Sequence, residues 1–94
     1  DLAIAFSKGF EPKDVNYYEL IEAYTPQENY VKLAWVYEKL IEKNTTVAEY
    51  HSSLAYMYYK LGEYQKAREQ ALEFARLMPE AQDEVDAFLK LLPN

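Results

Sequence analysis

His51 is the sole histidine of the chain, and there is no cysteine. The side chains most often used as nucleophile, general base or transition-metal ligand are therefore nearly absent. No Ser–His–acid order, phosphate-cradling glycine loop or metal-ligand spacing accompanies the histidine. Asp83, Glu84 and Asp86 have the chemistry of cation ligands, but at the start of a helix the dipole accounts for them. Glu19 and Glu22 stand three apart, as paired carboxylates on one helix face do, and a solvated face explains them. Asn44-Thr45-Thr46 matches the glycosylation acceptor pattern, and a helix end followed by an N-cap explains the same residues. His51 sits in an apolar helical stripe, where a packed or half-buried role is expected. No catalytic residue, metal site or cofactor is expected, and the chain is not expected to be an enzyme.

The residue type in surplus is tyrosine, ten in 94 residues. Tyrosine combines a large apolar area, few rotatable bonds and a polar tip, which is the chemistry of recognition rather than of bond-making. Net charge is −6, with −4 in residues 1–30, +1 in 31–62 and −3 in 63–94. Such a balance argues against nucleic acid, whose phosphates require clustered Lys and Arg. No apolar run approaches the ~18 residues of a membrane span, so membrane insertion is not expected. The chain opens at Asp1 without a signal-peptide pattern, as a piece of a longer protein would. The compartment stays open, with the cytoplasm favoured.

Helices must position these residues. Thr25-Pro26-Gln27-Glu28 reads as a capping box opening a helix with Leu33, Val36, Tyr37, Leu40 and Ile41 inward. Asn44 ends it. Thr46-Val47-Ala48-Glu49 reads as a second box, opening a helix with Leu54, Ala55, Tyr58 and Leu61 that Gly62 stops. A further helix is expected over about 64–78, with Ala67, Ala71, Phe74, Ala75 and Met78 inward. Another follows Pro79 to about Leu92, and an earlier one covers about 14–24. Residues 1–10 could add a last helical turn or two. Trp35 lies off its helix's main stripe, placed either to pack on the N-terminal segment or to form a convex contact.

Shifting the chain by 34 residues lays Leu20 on Leu54, Tyr24 on Tyr58, Tyr30 on Tyr64, Lys32 on Lys66 and Leu33 on Ala67, with no gap. A second shift lays Val85, Phe88, Leu89 and Leu92 on His51, Leu54, Ala55 and Tyr58. Residues 50–79, YHSSLAYMYYKLGEYQKAREQALEFARLMP, carry the clearest copy, and it resembles the tetratricopeptide repeat. Leu54, Ala55 and Tyr58 stand at that family's first-helix core, Gly62 and Tyr64 at its turn, Ala67 at its small second-helix site and Pro79 at its closing proline. His51 departs from the usual Trp, and Ala71 followed by Phe74 swaps the usual large–small order. Residues 14–47 resemble a divergent copy, with Glu28 in place of the turn glycine, and 82–92 resemble a lone capping helix. The resemblance implies one all-α domain over 1–94. Its antiparallel helical hairpins would stack as a short right-handed solenoid of about two and a half repeats, with 1–13 as an N-terminal segment, 48–81 as the well-matched repeat and 82–92 as the cap.

The resemblance also implies a function. In this family the first helices line a concave groove that holds protein or peptide. In the 34-residue register that groove would present Tyr18 and Glu22, then Glu49, Ser52, Tyr56, Tyr59 and Lys60, then Asp83, Asp86 and Lys90. Tyr18, Tyr56 and Tyr59 could instead pack between helices, whereas Tyr24, Tyr58 and Tyr64 recur at the period and are expected in the core. A carboxylate clamp for peptide C-termini is not expected, because its positions hold Tyr18, Ser52, Ser53 and Tyr56. A tyrosine and acidic groove suits a basic or apolar helix, or an extended peptide. Two other readings stand beside this one. One is a structural segment that extends an array or forms a homodimer through the edge around Leu2–Phe6 and Tyr17–Ile21. The other is a soluble accessory tail on a larger protein, similar to those of bacterial membrane glycan polymerases and ligases.

Overall fold

Apolar residues three and four apart, with Pro26, Pro79 and Pro93 outside the α-helices, give this chain helices and nothing else among its described residues. The computed structural model describes residues 17–93. It contains α1 (Tyr17–Tyr24), α2 (Tyr30–Lys43), α3 (Ala48–Lys60), α4 (Tyr64–Leu77) and α5 (Gln82–Leu91), with a 3₁₀ turn Pro79–Ala81 before α5. Each helix packs chiefly against the ones beside it in sequence. The result is elongated, 41 × 24 × 19 Å. Its radius of gyration is 14.0 Å, above the ~12 Å of a rounded chain of this length.

Two of the turns are built alike. After α3 the backbone enters the left-handed region at Gly62 (φ 79). The Glu63 N–H then donates to the Tyr58 carbonyl at 2.9 Å, and that of Gly62 to Tyr59 at 3.2 Å. This is the Schellman arrangement, which satisfies carbonyls a helix end leaves open. After α1 the same pair recurs, Asn29 to Tyr24 at 3.3 Å and Glu28 to Thr25 at 3.0 Å. There Glu28 takes the left-handed conformation (φ 51).

This overturns the expected capping role of Thr25. Its hydroxyl donates backwards to the Ile21 carbonyl at 2.6 Å, so Thr25 closes α1 rather than opening α2. The N-cap of α2 is Asn29, whose side-chain oxygen accepts from the Lys32 N–H at 3.2 Å. Thr46 is likewise not a cap. Its N–H and hydroxyl both turn to the Asn44 side-chain oxygen, at 3.2 and 2.9 Å. Val47 precedes α3 without any side-chain cap. Asn44 does end α2, as expected, with its N–H on the Leu40 carbonyl at 3.0 Å.

The core forms three linked clusters. Tyr17, Leu20, Val36 and Leu40 join α1 to α2, with Tyr50 of α3 against them. Ala34, Leu54, Tyr58, Ala67 and Leu92 bind α2, α3 and α4 to the residue after α5. Ala55, Ala71, Ala75 and Val85 join α3, α4 and α5. Two residues expected inward are not. Leu61 is 37% exposed, because α3 ends there and the side chain leaves with the turn. Tyr64, the first residue of α4, is 36% exposed and lies against Tyr59 instead of entering the core. Trp35 is half-buried on the first cluster, 6.2 Å from the Tyr17 ring, with Lys39 Nζ 5.8 Å from its face. The expectations for residues 1–13, for the edge around Leu2–Phe6 and for the start of α1 before Tyr17 lie outside the described residues.

Candidate binding surface

The C-terminal half of α3 presents a connected row of aromatic rings. Tyr56 and Tyr59 are one turn apart, with ring centroids 6.4 Å apart. The antiparallel entry of α2 brings Tyr30 edge-on to Tyr56 at 6.3 Å. The tight turn at Gly62 brings Tyr64 to 6.2 Å from Tyr59, and Phe88 of α5 meets the same ring at 5.8 Å. Tyr56 is the most open of them, 45% exposed. Lys60 follows one turn after Tyr56 and holds its Nζ 5.4 Å from that ring's centroid, a cation–π contact. Side-chain hydrogen bonding to Tyr56, and then the nearby phenols, hold the Lys60 ammonium above its ordinary range. Tyr30's phenol is also pushed up, first by desolvation and then by the Glu28 charge.

Beside the row, α3, α4 and α5 leave an open cleft of about 240 Å³. Ala55, Ala71, Phe74, Val85 and Phe88 form its apolar walls, and Ser52, Tyr56 and Glu84 also border it. The Ser52 hydroxyl donates to the Glu49 carbonyl at 3.0 Å. Glu84 makes no ion pair among the described residues.

Of the ten groove residues expected from sequence, Ser52, Tyr56, Tyr59 and Lys60 come together here. Tyr18 lies apart, 58% exposed, with its hydroxyl on that of Tyr50. Glu22, Glu49, Asp83 and Lys90 are exposed and enter no ring contact or ion pair among the described residues. Asp86 is exposed and accepts from the Gln82 side chain at 2.9 Å. Tyr30, Tyr64, Phe88 and Glu84 belong to the surface without having been singled out for it. Tyr30 and Tyr64 are the first residues of α2 and α4, which lie on either side of α3 in the chain and pack against it.

His51 is buried and held from both sides. Its Nε2 lies 2.8 Å from the Thr45 carbonyl and its Nδ1 2.7 Å from the Gln70 side-chain amide. It thus ties the start of α3 to the preceding turn and to α4, and both ring nitrogens are occupied. Among the described residues no three His, Cys, Asp or Glu side chains gather where a metal ion could sit. No described helix is long and apolar enough to cross a membrane. Compared with known family models, with curated proteins and with solved structures, the chain matches none.

Proposed function

We propose that this chain is a tetratricopeptide-like interaction module that holds a peptide or partner helix against α3. The observation that carries the reading is the open aromatic row Tyr30–Tyr56–Tyr59–Tyr64 with Lys60 set on it. Large rigid rings with polar tips give contact area at little entropic cost. The repeat part of the reading has its own support. Tyr17, His51 and Val85, one period apart, are all buried, as are Leu20 and Leu54, Tyr58 and Leu92, and Leu33 and Ala67. α2 and α4 are both 14 residues long and start one period apart, at Tyr30 and Tyr64. The paired turn bonds at Asn29 and Glu63 fall at the same interval. Stacked hairpins of this kind present a continuous face along their first helices.

The test is a random peptide library displayed on phage and selected on the full chain. Tyr56→Ala should weaken the selected peptides at least ~fivefold, as truncation of an aromatic anchor does, with the melting temperature unchanged. Unchanged affinity with a lowered melting temperature would make Tyr56 a packing residue and remove the reading. Self-association has an observation of its own. Val31 is 64% exposed and, with Leu20, Tyr24 and Trp35, borders a second cleft of about 200 Å³ on the α1–α2 side. Light scattering over a concentration series decides it, and a strict monomer removes it.

A further inference from the structure

The cleft between α3, α4 and α5 has a size, a lining and a charge that together specify an occupant. Its volume of about 240 Å³ falls below the ~300–1,000 Å³ of small-molecule sites, and so suits one side chain rather than a whole ligand. The opening exists because two of its walls are alanines. Ala55 and Ala71 are too small to fill the space that Phe74 and Phe88 prop open. Water is a poor tenant, since it needs two to four polar partners. Ser52 already spends its hydroxyl proton on Glu49, and the remaining walls are mostly apolar.

The charge beside the cleft is negative. Glu84 is the one charged residue that borders it, and it enters no ion pair among the described residues. Lys60, which is not part of the lining, holds its ammonium on the Tyr56 ring. An acidic partner would meet unpaired like charge, whereas a basic one would be drawn in and oriented.

We infer that the cleft is an anchor pocket for one leucine-, methionine- or phenylalanine-sized side chain of a peptide that carries an arginine or lysine within two positions of it. This rests on the peptide-holding reading of α3 and adds to it the chemistry of the partner.

The same displayed library, selected on the full chain, tests the inference. The selected sequences should share a large apolar residue with a neighbouring Arg or Lys. Ala71→Leu fills the cleft from within and should weaken those peptides more than ~tenfold, the loss expected when a buried aliphatic side chain is shut out, with the helical circular-dichroism spectrum retained at the assay temperature. Glu84→Lys lies on an exposed face and should turn the selected preference from basic to acidic neighbours. If Ala71→Leu does not fold, the charge reversal decides alone. Peptides that depend on Tyr56 but are indifferent to both substitutions overturn the anchor pocket and leave the reading of α3 standing. Failure to select any sequence overturns both. A concentration-dependent dimer that Ala71→Leu abolishes assigns the cleft to a second copy of the chain and overturns the inference.

Discussion

Glu28 and Gly62 occupy the same place in two matched turns, yet one carries a side chain where the other has none. A left-handed backbone brings Cβ close to the following carbonyl and costs ~1–2 kcal/mol for residues other than glycine. At Gly62 an added Cβ would meet nothing of the surrounding fold within 4 Å, so any penalty there is the local one, within the backbone of the turn. Part of it is offset by the smaller entropy that a non-glycine residue loses on folding. The two positions should therefore respond in opposite directions. Glu28→Gly is expected to raise the unfolding free energy by ~0.5–1 kcal/mol, and Gly62→Ala to lower it by a similar amount. Urea unfolding of the two variants beside the parent chain checks this. A loss of stability in Glu28→Gly would mean that the Glu28 carboxylate holds the turn in some way its backbone does not reveal.

Among the helices α3 packs between α2 and α4, and Tyr58 is the residue that touches both. Its ring is buried between Ala34 of α2 and Ala67 of α4, its hydroxyl donates to Glu38 of α2, and Lys66 of α4 sits 5.6 Å from its face. Tyr58→Ala should cost ~3 kcal/mol or more, as large-to-small changes in a core do. Tyr58→Phe keeps the packing and should cost only ~1 kcal/mol, and thermal unfolding separates the two. Helical spacing and the Gly62 stop made the helices legible from sequence, and the 34-residue register placed Leu20, Leu54, Leu33 and Ala67 inward. The caps were less legible, because a Thr-x-x-Glu pattern does not reveal whether the threonine hydroxyl faces the helix ahead or the one behind. Ser52, Tyr56, Tyr59 and Lys60 could be read as a surface because they fall on the outer side of one helix. Tyr30 and Tyr64 could not. The period that laid Tyr30 on Tyr64 suggested burial for Tyr64, while its exposure depends on how sharply the turn at Gly62 folds back.

Taken as a whole, the molecule carries phenols that the fold protects from ionising. Hydrogen bonding to Tyr18, followed by desolvation, pushes Tyr50 from 10.0 up to about 12. Burial, followed by the Glu38 bond, raises Tyr58 as well. A group whose pKa rises on folding lends stability that is complete below its unfolded value and is lost as pH climbs through the folded one. Melting temperature should thus be insensitive to these groups near neutrality and should fall between pH 10 and about 12. The fall should be shallower in a Tyr50→Phe, Tyr58→Phe double variant, and a slope the double variant does not change would place the alkaline sensitivity elsewhere. The order in which the helices pack has a consequence in time as well as in space. Because each helix meets chiefly the ones adjacent to it along the chain, the loops that must close are short and their entropic cost is small. A nascent chain can therefore close the α1–α2 hairpin before α4 has emerged from the ribosome, and then lay each later helix on a surface that is already formed.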